Sequence, residues 1–236
     1  MSPANPGPRR NHLLAAMPSD DYERLLPRLE PVALPRGWAI HDAGDRERHL
    51  FFLTAGIVSR IHLTQSGSSV EFAITGNEGF IGVASFLGGE STLSRAVVLT
   101  PGFAYRLGAD SLRDQIAHGG ALPRLLLAYT QALLTQAGQV AACNRHHCLE
   151  QRLARWMLSC LDRLPSNDLA VTHESIGNVL GVRRESVTEV AGRMQEAGLI
   201  RYSRGHITVL DRSKLEARVC ECYAVVKREY DRLLLW

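Results

Sequence analysis

The chain has 236 residues, 45% of them hydrophobic and 22% charged, a composition that excludes a disordered or fibrous protein. Its length gives room for two modest domains with separate cores. A net charge of only +3 means that nucleic-acid binding is decided by where the arginines stand and not by their excess.

The opening "MSPANPGPRRNH" has prolines and arginines but no apolar signal core, so a cytoplasmic protein with a disordered tail over residues 1–11 is expected. "PSDDYERLLPRL" then reads as a short helix, with Ser19 as N-cap and Asp20 and Asp21 in its first turn. From about Glu30 the pattern becomes that of strands. "EPVAL", "WAIH", "HLFFLTAG", "IVSRIHLTQSG", "SVEFAIT", "SRAVVL" and "GFAYRL" are separated by glycine or polar turns, as in a small antiparallel sandwich or barrel ending near Leu107. With the following short helix, "ADSLRDQIAHGG", they make up a first domain at residues 12–118.

A long helix follows over residues 119–145. Leu122, Leu126, Tyr129, Leu133, Gln136 and Val140 recur at alternating spacings of four and three, the seam of a two-stranded coiled coil. That assigns the helix to dimerisation, with Gln136 as a polar residue that sets register; the alternative is a helix packed on its own sheet. The uncharged run at 125–144 carries Gln131, Thr135, Gln136 and Gln139, which argue against a membrane span. "HHCLEQRLARWMLSCLDRL" is a further helix and begins the C-terminal domain, residues 146–236.

In that domain a helix starting at His173 is followed by a turn and a second helix over residues 184–197, "RESVTEVAGRMQEA". A small residue is needed where two such helices cross, and Gly177 stands there. Positive φ is needed in the turn, at Gly181. Ile176, Leu180, Val182, Val187 and Val190 form a shared core, so Arg184, Glu185, Thr188 and Glu189 must face outward. "LIRYSRGHITVL" is then a hairpin turning at Arg204-Gly205, a wing whose Arg201, Arg204 and His206 lie near phosphates. A structural hairpin of helices would explain the apolar positions equally well, but not the gathering of arginines at the turn and the wing.

The order of a β-domain, long helix and winged helix-turn-helix resembles the CRP/FNR family of bacterial transcription regulators, most strongly in "GVRRESVTEVAGRMQEAGLIRYSRGHITVLD". The resemblance implies an α+β fold with an N-terminal antiparallel β-roll (a double-stranded β-helix). It also implies a homodimer whose two reading helices enter successive major grooves of a palindromic double-stranded DNA site, with RNA polymerase as the protein partner and activation as the commoner mode. The family's usual helix runs Ser-Arg-Glu-Thr-Val-x-Arg; here the matching residues are Arg183, Arg184, Glu185, Ser186, Val187, Thr188 and Glu189. Arg184 suits guanine and Glu185 a cytosine amino group. Glu189 departs from the pattern, so the half-site is expected to differ, with Arg183 or Arg193 taking over a phosphate or guanine contact.

"NEGFIGVASFLGGESTLSRAVV" resembles the family's cyclic-nucleotide pocket, placing the effector site at Glu78, Gly79, Gly82, Val83 and Arg95. Val83 replaces the glutamate that holds ribose. Arg95 stands one place late, and one step along a strand turns a side chain to the other face. The pocket is therefore expected to take something other than cyclic AMP, or nothing; the effector is unknown. No cysteine precedes Cys143, which excludes the family's N-terminal iron–sulfur cluster. In "CNRHHC", Cys143 and His147 share a helical face while Cys148 points away, and Cys220 and Cys222 are expected to diverge on one helix, so neither metal nor cofactor is assigned. No catalytic residue is assigned either: His41, His49 and His62 are scattered and lack the His-x-His pair of a cupin metalloenzyme. An adaptor acting through protein contact alone would leave the helix-turn-helix without use.

Overall fold

The computed structural model describes residues 6–89 and 91–234. They divide between two compact units, one from residues 6–60, 75–89, 91–134 and 229–234 and the other from residues 61–74 and 135–228.

The first unit is ordered earlier than expected. Pro8–Arg10 form a turn of 3-10 helix, and Asn11 caps α1 (His12–Ala15) by accepting from the amides of Leu13 and Leu14. The Asn11 amide nitrogen donates to the carbonyls of Leu53 and Gly79, both at 2.8 Å. A fully buried side chain with both ends bonded ties this segment to the sheet, which corrects the disordered tail for residues 8–11; residues 1–5 lie outside the described residues. α2 (Ser19–Leu25) begins with Ser19 inside the helix and Pro18 at the cap position.

β1 (Glu30–Leu34), β2 (Ala39–His41), β3 (His49–Leu63), β4 (Ser69–Thr75), β5 (Phe80–Ile81) and β6 (Ser94–Gly108) form a sheet in the order β1-β6-β3-β4, with β2 on β6 and β5 on β3. The short α3 (Val83–Leu87) precedes β6 and α4 (Ala109–His118) follows it. The runs read as four separate strands are two long ones, β3 and β6. Their glycines are not breaks: Gly56 adopts φ +86°, and a Cβ on Gly102 would stand 2.0 Å from the Ala55 carbonyl oxygen. Only glycine permits this approach of the two strands. Leu34, Phe51, Leu53, Val58, Ile81, Ala96, Val98 and Ala104 fill the core between them.

The first half of α5 (Ala121–His146) completes this unit. Here the structure corrects the predicted seam. Leu122, Leu126, Tyr129, Leu133, Gln136 and Val140 are all buried by the chain itself. Tyr129 packs on Phe80 with ring centroids 5.0 Å apart, and its hydroxyl is 2.8 Å from that of Thr75. The exposed stripe lies on the far side of the helix, about 140° around from the seam: Leu127, Gln131, Leu134, Gly138 and Ala141. The most apolar face is used within the chain because that is where it removes most surface from water. The end of α10 (Cys222–Leu234) also belongs to this unit and not, as the expected boundary had it, to the C-terminal domain. Tyr230 meets Tyr129 edge-on, and Glu229 accepts from the Gln131 amide at 3.4 Å.

In the second unit α6 (Leu149–Leu161) buries every residue from Leu153 to Leu161. β7 (Asp168–Ala170), β8 (Ile200–Ser203) and β9 (His206–Val209) make a sheet in the order β7-β9-β8, beside α7 (His173–Leu180) and α8 (Arg184–Glu196). α9 (Arg212–Glu216) leads to α10. Cys220 precedes α10 while Cys222 opens it, so the divergence expected for two residues on one helix does not occur; both are buried in one cluster with Cys143. No helix among the described residues is long and apolar enough to cross a membrane.

Asn11→Ala removes a helix cap and strands two buried carbonyls, so it should cost at least about 2 kcal/mol of stability. Urea unfolding measures this, and a cost below about 0.5 kcal/mol would mean that the segment is not anchored as described.

Candidate nucleic-acid interface

The geometry of the C-terminal unit rests on the turn between α7 and α8. Thr172 caps α7 by accepting from the Ser175 amide at 3.1 Å. Gly181 ends it at φ +64°, and the Val182 amide donates back to the Gly177 carbonyl at 2.9 Å. A Cβ on Gly177 would lie 2.8 Å from the Val182 carbonyl oxygen, so the close crossing has no room for a side chain. α8 buries Val187, Val190, Ala191 and Met194, the face its spacing predicts. Arg183, Arg184, Glu185, Thr188, Glu189 and Arg193 are exposed. Arg183 occupies the cap position without a side-chain cap bond, which leaves the positive end of α8 open to an anion.

Exposure alone does not make these side chains equivalent. Thr188 donates to the Arg184 carbonyl at 3.1 Å and its hydroxyl lies 2.9 Å from His173 Nδ1, so it braces α8 against α7. Glu189 and Arg193 form an ion pair at 2.6 Å, one turn apart. Arg193 therefore offsets the carboxylate of Glu189 in the free chain. The wing turns through Arg204 (φ +49°) and Gly205 (φ +81°), a tight two-residue hairpin with Arg204 the one non-glycine residue at positive φ among the described residues. Arg201 and Arg204 are exposed. His206 is also exposed, but its Nδ1 lies 3.0 Å from Asp168, a carboxylate that also accepts from Thr208 at 2.9 Å. The bond to His206 is the first cause of the lowered Asp168 pKa.

Sequence reasoning missed the brace behind the helix. His173 is buried, lies 2.9 Å from Thr188 and stacks on Tyr202 with centroids 3.9 Å apart. Burial, then the nearby Arg184, hold its pKa below the ordinary 6.5. No spacing pattern announces a contact between positions 173, 188 and 202. The Glu189–Arg193 pair was legible as an i, i+4 pair.

In the β-roll the predicted pocket residues do not assemble into a site. The Glu78 carboxylate accepts from the Gly76 amide, closing a turn, and a Cβ on Gly79 would collide with the Tyr129 ring. Gly82 adopts φ +111° against the His49 carbonyl, and Val83 opens α3. Arg95 points outward to Asp42 at 2.9 Å, while its neighbours Ser94 and Ala96 are buried. A cavity of about 170 Å³ lies elsewhere, lined by Ile40, His41, Glu47, His49, Phe51 and Ile81 among others. Glu47 is buried there and accepts from the Ala84 and Ser85 amides at 2.7 and 3.3 Å. Its other oxygen is 3.4 Å from His41 Nδ1. Burial lowers the His41 pKa against the opposing pull of Glu47. The first-turn amides of α3 are thus taken by the chain's own carboxylate.

A β-roll and a winged helix-turn-helix in one chain define a DNA-binding regulator whose reading module accompanies a cyclic-nucleotide-type domain. Residues 31–118 match the cyclic nucleotide-binding domain model and residues 151–218 the Crp-like helix-turn-helix domain model. The global nitrogen regulator of Synechococcus elongatus is 25% identical over 185 residues, 75% of this chain and 83% of that protein. The CRP-like cAMP-activated global transcriptional regulator of Mycobacterium tuberculosis is 24% identical over 201 residues, 82% of this chain and 90% of that one. The fold is also that of FixK2 from Bradyrhizobium japonicum, with a TM-score of 0.70 at 18% identity, covering 81% of this chain and 98% of that one. The chain belongs to the CRP/FNR family of transcription regulators.

Gly177→Val should destabilise the C-terminal unit by about 1–3 kcal/mol through overpacking against backbone, and abolish DNA binding at temperatures where the variant is still folded. Binding equal to that of the unchanged protein would show that the α7–α8 crossing angle is immaterial. A histidine with a lowered folded pKa binds fewer protons folded than unfolded, so its stability contribution is present above 6.5 and fades as pH falls toward the folded value. His173→Gln should therefore lose less stability than the unchanged protein between about pH 7.5 and about pH 5.5, and identical losses would rule His173 out as a source.

Proposed function

We propose that this regulator is a cytoplasmic homodimer that reads a palindromic DNA site with α8 and does not respond to cyclic AMP. The observation that carries the reading is the exposed Arg183-Arg184-Glu185 at the uncapped start of α8, set against a buried opposite face. An α-helix enters the major groove with such N-terminal residues. Arg184 suits guanine and Glu185 a cytosine amino group, while Arg201 and Arg204 on the wing suit phosphates. His206, Thr188 and Arg193 have structural partners and contribute less.

Dimerisation is proposed through the exposed stripe of α5. Leu127, Gln131, Leu134, Gly138 and Ala141 repeat at four, three, four and three, the period at which two helices wind together. Leu127 and Leu134 are 55% and 69% exposed, large apolar surface whose cover by a second copy lowers the free energy. RNA polymerase is the protein partner that this reading implies. Against a cyclic AMP response stand the outward Arg95, which leaves the phosphate without its cation, and Val83 in place of a ribose-binding carboxylate.

Selection from a random duplex pool by the purified protein tests the whole reading. The expected product is a palindrome with half-sites about one helical turn apart, unaffected by added cyclic AMP. Enrichment of an unpaired half-site would remove the dimer, and a cyclic AMP requirement would remove the effector reading. On the selected site, Arg184→Ala should cost about 1–3 kcal/mol of discrimination at one base pair. Arg204→Asn keeps a residue that tolerates positive φ, so it should weaken all sequences alike and lower the salt slope by about 1. A change of specificity at Arg204, or none at Arg184, would show that the two roles are misassigned.

A further inference from the structure

Three cysteines and a histidine from two distant stretches of the second unit meet at the end of α5. Cys143 lies in the last turns of α5 and His147 just beyond it, with the His147 amide donating to the Cys143 carbonyl at 3.1 Å. Cys220 and Cys222 come from the turn into α10. One ligand atom from each lies within 4.8 Å of all the others. Cys143 Sγ is 3.6 Å from Cys220 Sγ, and Cys222 Sγ is 3.5 Å from His147 Nδ1. We propose that Cys143, His147, Cys220 and Cys222 are a tetrahedral binding site for one zinc-like divalent ion.

The spacing is that of ligands around a single ion. A tetrahedral centre with bonds of about 2.3 Å to sulfur and about 2.0–2.1 Å to nitrogen sets S···S edges near ~3.8 Å and S···N edges near ~3.6 Å. The Cys143–Cys220 and Cys222–His147 separations, 3.6 and 3.5 Å, fall beside these values. A cluster divides its ligands between several irons and spreads them further. Thiolate with imidazole is a donor set for a borderline-soft ion and not for magnesium or calcium. Cys143, Cys220 and Cys222 are almost wholly buried, so the site is dry and closed, as structural zinc sites are.

The surroundings also match. With Nδ1 directed at Cys222, the far nitrogen of His147 is 3.3 Å from the Glu221 carboxylate, an arrangement that fixes ring orientation and raises basicity toward a metal. The Gln139 amide donates to Cys222 Sγ at 3.1 Å, a contact that stabilises a thiolate better than a thiol. Binding converts three thiols to thiolates with release of their protons to solvent, and no electron changes hands. Cys148 is exposed and Cys160 belongs to α6, so neither is part of the site. An ion here ties the end of α5 to the start of α10 whether or not the protein reads DNA as proposed.

The experiment is titration of the reduced, metal-free full-length protein with Zn2+ against a chromophoric chelator, and with Co2+ for its visible spectrum. The expected results are one ion per chain, and a Co2+ spectrum with tetrahedral bands and thiolate charge transfer. Cys222→Ser and His147→Gln should weaken Zn2+ by more than tenfold and Glu221→Gln by about tenfold, while Cys148→Ser has no effect. Circular dichroism and chelator competition on His147→Gln keep the test open if a buried cysteine variant does not fold. Binding well below one ion per chain, a Co2+ spectrum without thiolate charge transfer, or His147→Gln binding Zn2+ as tightly as the unchanged protein would overturn the site. So would a Cys143–Cys220 disulfide in protein purified without air.

Discussion

The exposed face of α8 depends on one backbone constraint, the tight passage from α7 to α8. Gly181 supplies the positive φ, and the absence of a side chain at Gly177 lets the helices close to backbone contact. From these two positions follows the direction of α8, and from its direction the outward presentation of Arg183, Arg184 and Glu185. His173 then locks the arrangement from behind through Thr188 and Tyr202. A helix held this firmly keeps side-chain positions well defined before DNA arrives, which lowers the ordering cost of binding.

The β-roll keeps the architecture of a cyclic-nucleotide domain while its polar groups are committed elsewhere. Arg95 pairs with Asp42 on the outside, and Glu47 takes the amides at the start of α3. Both are satisfied by short intramolecular bonds, so an incoming anion would have to displace a carboxylate and not merely fill a space. The buried His41–Glu47 pair lines one of the roll's cavities. Arg46 and Arg48 line the same cavity, so charges of both signs stand around it.

The second unit carries two kinds of order, a helix-turn-helix built on glycine and apolar spacing and a thiol cluster built on sequence separation. Cys143 and Cys220 are 77 residues apart and come within 3.6 Å. The same principle operates in the first unit, where Asn11 reaches Leu53 and Gly79. Such long contacts restrain a loop at both ends, which is why removing one partner is felt beyond its own neighbourhood.

By itself the sequence determined the family architecture, the strand-rich region that becomes the β-roll, and the face of α8 that looks outward. These follow from local periodicity and from glycines whose steric role is independent of the rest of the chain. Arg95's orientation was legible for the same reason, since a one-residue shift in a strand inverts the face. Tertiary structure alone decided which stripe of α5 is covered: two stripes on nearly opposite faces both satisfy the spacing of four and three, and the packing of Tyr129 against Phe80 chooses between them. It likewise decided that Asn11 is a buried anchor, that His206 belongs to Asp168, and that Cys220 and Cys222 converge on Cys143 and His147. Each of these is a meeting of residues far apart in the chain, and local propensity carries no information about which distant partner a side chain will find.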